Sequence, residues 1–139
     1  MVNFNYVADI QLDNEEKLSK WIAHTITLEA HHEGAINYIF CDDEYLNKLN
    51  VKYLNHDTFT DIISFDYSSG KEISGDVFIS IDRVKENALS LETSFNSELY
   101  RVMIHGILHY CGYNDKSEEE KTLMRNKEDQ HLQVLKDLF

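Results

Sequence analysis

Apolar and polar residues follow the two-residue repeat of strands in some segments of the chain and the helical repeat in others. Residues 2–7 alternate apolar and polar side chains, which predicts a strand. A helix is predicted next, from an apolar stripe formed by Leu18, Trp21, Ile22 and Ile26. Asp13 or Asn14 is expected to cap the start of this helix, and Gly34 is expected to end it.

The rest of the chain continues this mixture of strands and helices. Strands are predicted at residues 35–41, 61–66 and 76–81, and helices at residues 84–91, 96–111 and 118–138, with a further helix beginning at Asp42 and Asp43. Residues 68–71 are typical of a hairpin turn, and Ser117 with Glu120 forms the pattern of a capping box. The order β-α-β-α-β-β-α-α-α predicts an α+β fold, with a four-stranded mixed sheet and helices packed against it.

Length and composition indicate an ordinary globular protein. The 139 residues are expected to form a single domain over residues 1–139. Hydrophobic residues make up 42% and charged residues 27%, which excludes a mainly disordered or collagen-like chain. No segment approaches the roughly 20 apolar residues of a membrane-spanning helix, and the first residues do not resemble a signal peptide. We therefore expect a cytoplasmic protein that does not bind membranes.

The charge balance is strongly acidic. Thirteen Lys and Arg against 25 Asp and Glu give a formal net charge of −12. This charge opposes non-specific binding to nucleic acids and to anionic membranes. A polyanionic substrate would therefore need a local positive site, formed by a metal ion or by a few placed Lys and Arg side chains.

Two histidines in one predicted helix carry the strongest chemical signal. His105 and His109 are four residues apart, so their side chains lie on one face of the helix, one turn apart. That spacing lets two imidazole nitrogens bind one metal ion at about 2 Å. Gly112 is placed to end the helix in a left-handed turn, beyond which the carboxylate of Asp115 can reach the same ion. The sequence therefore predicts a metal site of His105, His109 and Asp115.

The residue after the first histidine argues against the commonest site with this spacing. Metalloproteases with the H-E-x-x-H motif use the glutamate beside the first histidine as general base, whereas this chain has Gly106 there. Glycine costs about 1 kcal/mol within a helix, so its presence indicates that a packed strand or a substrate backbone comes close. The metallopeptidase interpretation is weakened accordingly.

Three segments of the chain resemble one known family. Residues 105–115 read HGILHYCGYND, similar to the metal motif H-G-x-L-H-L-x-G-Y-D-H of the YbeY family. Residues 60–65 read TDIISF and resemble the family's T-D-V-L-S-F strand, and residues 75–80 read GDVFIS and resemble its G-D-I-x-I-S strand. Residues 50–53 resemble the asparagine and tyrosine of the preceding family helix. The segments occur in the family's order and spacing.

The resemblance implies a zinc-dependent, single-strand-specific endoribonuclease. Members of the family act in ribosomal RNA maturation, including the 3′ end of the small-subunit RNA, and in ribosome quality control. Single-stranded ribosomal RNA is then the implied substrate, with the ribosome or ribosomal proteins as partners and one Zn²⁺ per chain as cofactor. Carried over by position, the first two metal histidines of the family are His105 and His109.

Two positions depart from the family motifs. The third metal histidine of the family falls on Asp115, a competent zinc ligand whose charge makes harder ions such as Mn²⁺ more competitive. An arginine that points into the substrate cleft of the family falls on Leu54, so the group best suited to bind phosphate in a bidentate way is missing. Lys52 or Lys71 is a candidate replacement, as a point charge only. The family's proline before Thr60 is replaced by Phe59.

Three other residues each allow a functional and a structural interpretation. Asp61 and Ser64 lie on the strand that the resemblance places beside the metal, where they either position water or a ribose hydroxyl or serve the local backbone. His131 is interpreted as a packing or surface histidine rather than a fourth ligand, because a catalytic metal needs an open position. The residues alone leave the oligomeric state and the cleavage products open.

Three other function classes are carried as alternatives. Two histidines and a carboxylate also form the ligand set of non-haem iron oxygenases. A zinc-dependent hydrolase of another substrate, such as a peptide, is the second alternative. The third is a ribosome-associated factor that binds metal without strong catalysis, which the missing arginine at Leu54 would suit.

Overall fold

The computed structural model describes residues 1–55 and 60–139 of the chain. Its elements follow the predicted order, and they are β1 (Val2–Tyr6), α1 (Glu15–Leu28), β2 (His32–Cys41), α2 (Asp43–Leu54), β3 (Ile62–Asp66), β4 (Glu72–Ser80), α3 (Ile81–Ser90), α4 (Phe95–Tyr110) and α5 (Glu118–Leu138). Phe59, the position of the family proline, lies outside the described residues. No helix in the described part of the chain has the length and apolarity needed to cross a membrane.

The four strands form one mixed sheet, which confirms the predicted α+β fold. Their order in the sheet is β1-β2-β4-β3, with β1 and β4 parallel to β2 and with β3 antiparallel to β4. The turn between β3 and β4 makes the predicted hairpin, closed by a bridge between Ser69 and Glu72. Buried and partly exposed residues alternate along the central strands β2 and β4, so one face of the sheet carries the core.

The end of the first helix differs from its prediction. Helix α1 ends at Leu28, and Ala30 adopts a left-handed φ of 63° in the turn that follows. Gly34 instead lies within β2, where an added Cβ would be 2.6 Å from the Ile73 carbonyl oxygen of β4. Glycine is therefore needed there for strand approach and not as a helix stop. At the start of α1, Asn14 makes no capping bond, and its amide donates to the Tyr100 hydroxyl at 3.0 Å.

Several other boundaries lie a few residues earlier than predicted. Strand β2 begins at His32 and strand β4 at Glu72, because the backbone pairing of these two strands extends beyond their apolar cores. Helix α3 begins at Ile81, since the Ser80 hydroxyl accepts the Arg83 backbone N–H and caps the helix there. The capping box of α5 is confirmed, with both bonds between Ser117 and Glu120 present.

Helix α4 is held firmly against the sheet, and this position fixes the candidate site. One side of α4 is fully buried, including Leu99, Met103, Ile104, Ile107 and Leu108. The Tyr38 hydroxyl of β2 donates to the Met103 carbonyl at 2.9 Å. The Tyr110 hydroxyl lies 3.1 Å from the carbonyl oxygen of Phe65. The opposite face of α4 is thereby presented toward α5 and solvent.

Candidate metal centre

The two histidines of α4 point their Nε2 atoms at one another. His105 and His109 lie on the partly exposed face of the helix, and their Nε2 atoms are 2.9 Å apart. Their rings are nearly perpendicular, with centroids 4.5 Å apart. The predicted one-turn spacing therefore brings the two nitrogens to a common point.

The turn after α4 brings the third predicted residue to the same point. Gly112 has a φ of 101°, and its N–H donates to the His109 carbonyl while the Tyr113 N–H donates to the Leu108 carbonyl. This pair of bonds is the Schellman motif that ends a helix and reverses the chain. As a result, the Asp115 Oδ2 atom lies 3.2 Å from the Nε2 of His105 and 3.3 Å from that of His109.

The three atoms form a triangle of the size that a tetrahedral zinc site requires. Zinc bonds to nitrogen and oxygen are about 2.0–2.2 Å long, which puts tetrahedral ligand atoms about 3.3 Å apart. The observed separations of 2.9, 3.2 and 3.3 Å are close to that value. Among the described residues, the group of His105, His109 and Asp115 could hold an ion and leave a coordination position open.

The outer nitrogens of both rings are already engaged with acceptors. The Nδ1 of His105 lies 2.7 Å from a Glu128 carboxylate oxygen, and the Nδ1 of His109 lies 2.9 Å from the Tyr113 carbonyl oxygen. Because both partners accept, each Nδ1 carries the proton and each Nε2 of the neutral ring has a lone pair. Two imidazole nitrogens and a carboxylate oxygen thereby face one point, a donor set that suits a cation between them.

Glu128 of α5 links the first histidine to an arginine. Its side chain is only 6% exposed, and its second oxygen accepts from Arg101 at 2.9 Å. Burial opposes ionisation of Glu128, but hydrogen bonds from His105 and Arg101 hold its pKa below the ordinary value. Burial likewise opposes protonation of His105, but the hydrogen bond and charge of Glu128 raise its pKa. The pair fixes the ring orientation of His105.

A second buried carboxylate supports the turn that carries Asp115. Glu29, at the end of α1, accepts from the Tyr113 hydroxyl at 2.6 Å and from Lys127 at 3.3 Å. The Nε2 of His131, which is fully buried, lies 2.6 Å from the same carboxylate. His131 is therefore a partner of Glu29 in the interior, as the packing interpretation expected.

A cavity of about 290 Å³ opens beside the three donors and is lined by residues that include His105, Asp115, Asp61, Arg101 and Arg125. Burial raises the pKa of the Asp61 carboxyl. Ser64 does not line this cavity, and its side chain interacts with the Tyr110 hydroxyl. Of the two uncertain residues, only Asp61 is therefore positioned to act on a bound molecule.

Gly106 serves packing and not the cavity. An added Cβ would lie 3.2 Å from Ile62 Cδ1 and 3.3 Å from Val77 Cγ1. Of the two explanations for this glycine, the structure supports the packed strand, because α4 approaches β3 and β4 at this point.

The candidate replacements for the missing arginine lie elsewhere. Leu54 is exposed at the end of α2, and neither Lys52 nor Lys71 lines the cavity. The basic residues that do line it are Arg101 and Arg125. Sequence reasoning missed both, although Arg101 precedes His105 by one helical turn, a spacing that places their side chains on the same face.

Replacing Gly112 with alanine is expected to weaken both folding and metal binding. The left-handed φ of 101° costs an L-residue about 1–2 kcal/mol, and relief of that strain would displace Asp115. Gly70→Ala is the matched control, since Gly70 also has a positive φ and also has nothing within 4 Å of an added Cβ. Urea unfolding should show similar losses for both variants, whereas metal titration should show weaker binding for Gly112→Ala alone.

Replacing Glu29 with glutamine is expected to lower stability in a pH-dependent way. Burial would raise the pKa of Glu29, but hydrogen bonds from Tyr113, His131 and Lys127 hold it below the ordinary value. A carboxyl with a lowered pKa stabilises the folded state above its unfolded pKa and loses that contribution as pH falls through the folded pKa. The free energy of unfolding should therefore drop by about 2 kcal/mol near pH 7.

Below about pH 4.3, the ordinary glutamate pKa, the difference between Glu29→Gln and the unchanged chain should shrink. Thermal or urea unfolding from pH 3 to pH 8 measures it, with the exposed Glu16→Gln as control. A difference that stays constant across this range would contradict the assignment of Glu29 as an ionised, hydrogen-bonded carboxylate.

Comparison with known proteins places these features in a family. The family model described as endoribonuclease YbeY matches residues 4–136. An endoribonuclease YbeY of Flavobacterium johnsoniae is 59% identical over 132 residues, covering 95% of each chain. One from Flavobacterium psychrophilum is 55% identical over 134 residues, covering 96% of each chain.

A solved structure has the same fold at lower sequence similarity. The solution structure of TM1509 from Thermotoga maritima superimposes with a TM-score of 0.66, at 22% identity, covering 97% of this chain and 89% of that one. This similarity supports the α+β architecture alone. The match of the family model over nearly the whole chain, together with relatives more than half identical, shows that the chain belongs to the YbeY family of endoribonucleases.

Proposed function

We propose that this chain is a metal-dependent endoribonuclease that cleaves single-stranded ribosomal RNA, in the maturation of the small-subunit 3′ end and in ribosome quality control. Family membership supports the endoribonuclease activity and the role in ribosomal RNA processing. One observation supports the metal dependence most strongly. Three donor atoms, of His105, His109 and Asp115, converge with both outer imidazole nitrogens already engaged.

The donor residues would hold one divalent ion per chain, which we propose to be Zn²⁺. Two imidazoles and one carboxylate satisfy the three protein ligands of a catalytic zinc site. The carboxylate of Asp115 also suits Mn²⁺ better than a third histidine would. When bound, such an ion polarises a phosphoryl oxygen and lowers the pKa of bound water.

Residues around the three donors orient the two histidine rings and line the cavity beside them. Glu128 and the Tyr113 carbonyl hold the two histidine rings with their Nε2 lone pairs inward. Asp61 is 3.3 Å from the Asn87 amide and lines the same cavity as His105. Burial raises the pKa of its carboxyl, and its place in the cavity positions it to bond a ribose hydroxyl or a bound water.

The cavity favours a single strand over a duplex. Its volume of about 290 Å³ is lined by side chains of α4, α5 and β3, and a space of this size is too small for a duplex. Single-stranded RNA is recognised through such clefts because its unstacked nucleotides can enter them. A net charge of −12 would repel RNA elsewhere on the surface, so we propose that docking to the ribosome or to a ribosomal protein, in the cytoplasm, assists binding.

Cleavage of a defined RNA tests this function. Purified protein, loaded with Zn²⁺ or with Mn²⁺, would be incubated with a single-stranded fragment covering the small-subunit 3′ end and with the same fragment annealed to its complement. We expect cleavage of the single strand only, loss of cleavage with a chelator, and recovery when the metal is returned. Cleavage that persists in chelator would contradict metal dependence. Metal binding without any cleavage would favour the ribosome-associated factor instead.

A further inference from the structure

A groove continues from the metal cavity between α4 and α5. Its volume is about 730 Å³, and it shares Glu98, Arg101 and Arg125 with the smaller cavity beside His105. The two spaces therefore adjoin at these three side chains. The endoribonuclease function proposed above uses only the cavity beside His105, and it assigns no role to the groove.

Two rows of side chains border the groove and run away from the metal centre. On α4 the row passes from His105 through Arg101 to Ser97, which spans about 12 Å at 1.5 Å per residue. On α5 it passes from Arg125 to Lys136, about 16 Å by the same rise. One row runs toward the start of α4 and the other toward the end of α5, so the helices are antiparallel along the groove. Its length spans a few nucleotides of one extended strand.

The charge of the groove is opposite to the charge of the protein. Its basic residues are Lys17, Arg101, Arg125 and Lys136, and its acidic residues are Glu98 and Asp129. Asp129 accepts from Arg101 at 2.7 Å, so these two charges offset each other and Lys17, Arg125 and Lys136 remain. Glu98 is buried, with 6% of its surface exposed. In a chain with a net charge of −12, this groove has an excess of positive groups.

Arg125 is the basic residue best placed to bind an anion. Its side chain is 55% exposed and meets Glu128 at 3.7 Å, a long ion pair. Arg101, in contrast, is held by two carboxylates at 2.9 and 2.7 Å. Arg125 lines both the cavity and the groove, so it stands where a strand would leave the metal centre.

We propose that the groove between α4 and α5 binds the RNA strand that flanks the cleavage point, through phosphate contacts with Arg125 and Lys136. The inference rests on the endoribonuclease function proposed above. It also explains how phosphate is bound in a chain with Leu54 in place of the family arginine. Arginine binds phosphate through two parallel N–H groups, and Arg125 offers them where the metal cavity meets the groove.

A pair of double variants tests the groove. Arg125→Ala/Lys136→Ala removes two charges from it, and Lys48→Ala/Lys85→Ala removes two charges from exposed positions on α2 and α3. Fluorescence anisotropy with a single-stranded 12-nucleotide RNA, in chelator to prevent cleavage, would give the Kd at several salt concentrations. We expect the groove variant to bind about tenfold more weakly, with a salt slope reduced by about 1.4. The control should match the unchanged chain.

Steady-state kinetics with the metal restored give a second readout. The groove variant should show a KM raised about tenfold with a much smaller effect on kcat, and Lys136→Ala alone should raise KM for a long strand but not for a dinucleotide that fills only the cavity. Equal Kd, salt slope and KM in the two double variants would overturn the proposal. If the unchanged chain cleaves no RNA with either metal, the proposed function fails first, and that result differs from active but indistinguishable variants.

Discussion

Replacing His109 with alanine is expected to reduce RNA cleavage by at least about a thousandfold, which corresponds to about 4 kcal/mol of transition-state stabilisation. The Nε2 of His109 is one corner of the donor triangle, 2.9 Å from His105 and 3.3 Å from Asp115. Two remaining donors bind a divalent ion far more weakly than three. Initial rates on single-stranded ribosomal RNA, at the Zn²⁺ concentration that just saturates the unchanged chain, measure the loss.

The fold should survive this substitution. His109 is partly exposed. Its Nδ1 bonds the Tyr113 carbonyl, but the backbone N–H bonds of Gly112 and Tyr113 already close that turn. His32→Ala serves as control, because His32 is an exposed histidine at the start of β2. Circular dichroism should be the same for both variants. Equal cleavage by His109→Ala and His32→Ala preparations would point to a contaminating nuclease and refute the assignment.

Replacing Glu128 with alanine is expected to weaken metal binding by about 10- to 100-fold. Glu128 accepts a hydrogen bond from the His105 Nδ1 at 2.7 Å and so directs the Nε2 atom toward the donor triangle. Its removal frees the ring to rotate and leaves Arg101 with one carboxylate partner. Loss of a buried, paired carboxylate also costs stability, by about 3 kcal/mol. Isothermal titration with Zn²⁺ and urea unfolding of the metal-free protein give the two quantities.

Asp129 provides a matched control for this prediction. It accepts from the same arginine at 2.7 Å but does not contact His105, and its side chain is 56% exposed. Asp129→Ala should leave the metal Kd within about threefold, since the ring of His105 keeps its partner. If both variants changed the Kd equally, the effect would come from Arg101 and not from orientation of the histidine.

The metal donors could be predicted from the sequence because their arrangement is local. His105 and His109 belong to one helix, whose geometry fixes the angle between their side chains. Gly112 ends the helix by a known motif, and Asp115 follows within a few residues. No packing of distant segments is needed to bring these three donors together.

The supporting residues could not be predicted in the same way. Glu128 lies 23 positions from His105, and Glu29 lies 84 positions from Tyr113, so only the packing of α5 and α1 against α4 brings them to the site. Neither carboxylate belongs to a recognisable spacing motif. Glu29 even lies at the end of α1, where a negative charge is unfavourable beside the helix dipole.

One local rule also failed for a physical reason. The expected helix stop at Gly34 was wrong because Ala30 adopts the left-handed conformation that glycine prefers. The glycine was instead required by β4, a strand that begins at Glu72. Net charge is a sum over the chain, so it predicts that a local positive site is needed but not where α4 and α5 bring basic residues together.

The metal content of the native protein tests the central claim most directly. Protein purified without chelators would be analysed for transition metals by mass spectrometry, beside His105→Ala prepared in the same way. The account predicts about one equivalent per chain in the unchanged protein and a loss of nearly all of it in the variant. A metal-free protein that also fails to bind added Zn²⁺ or Mn²⁺ would contradict the account.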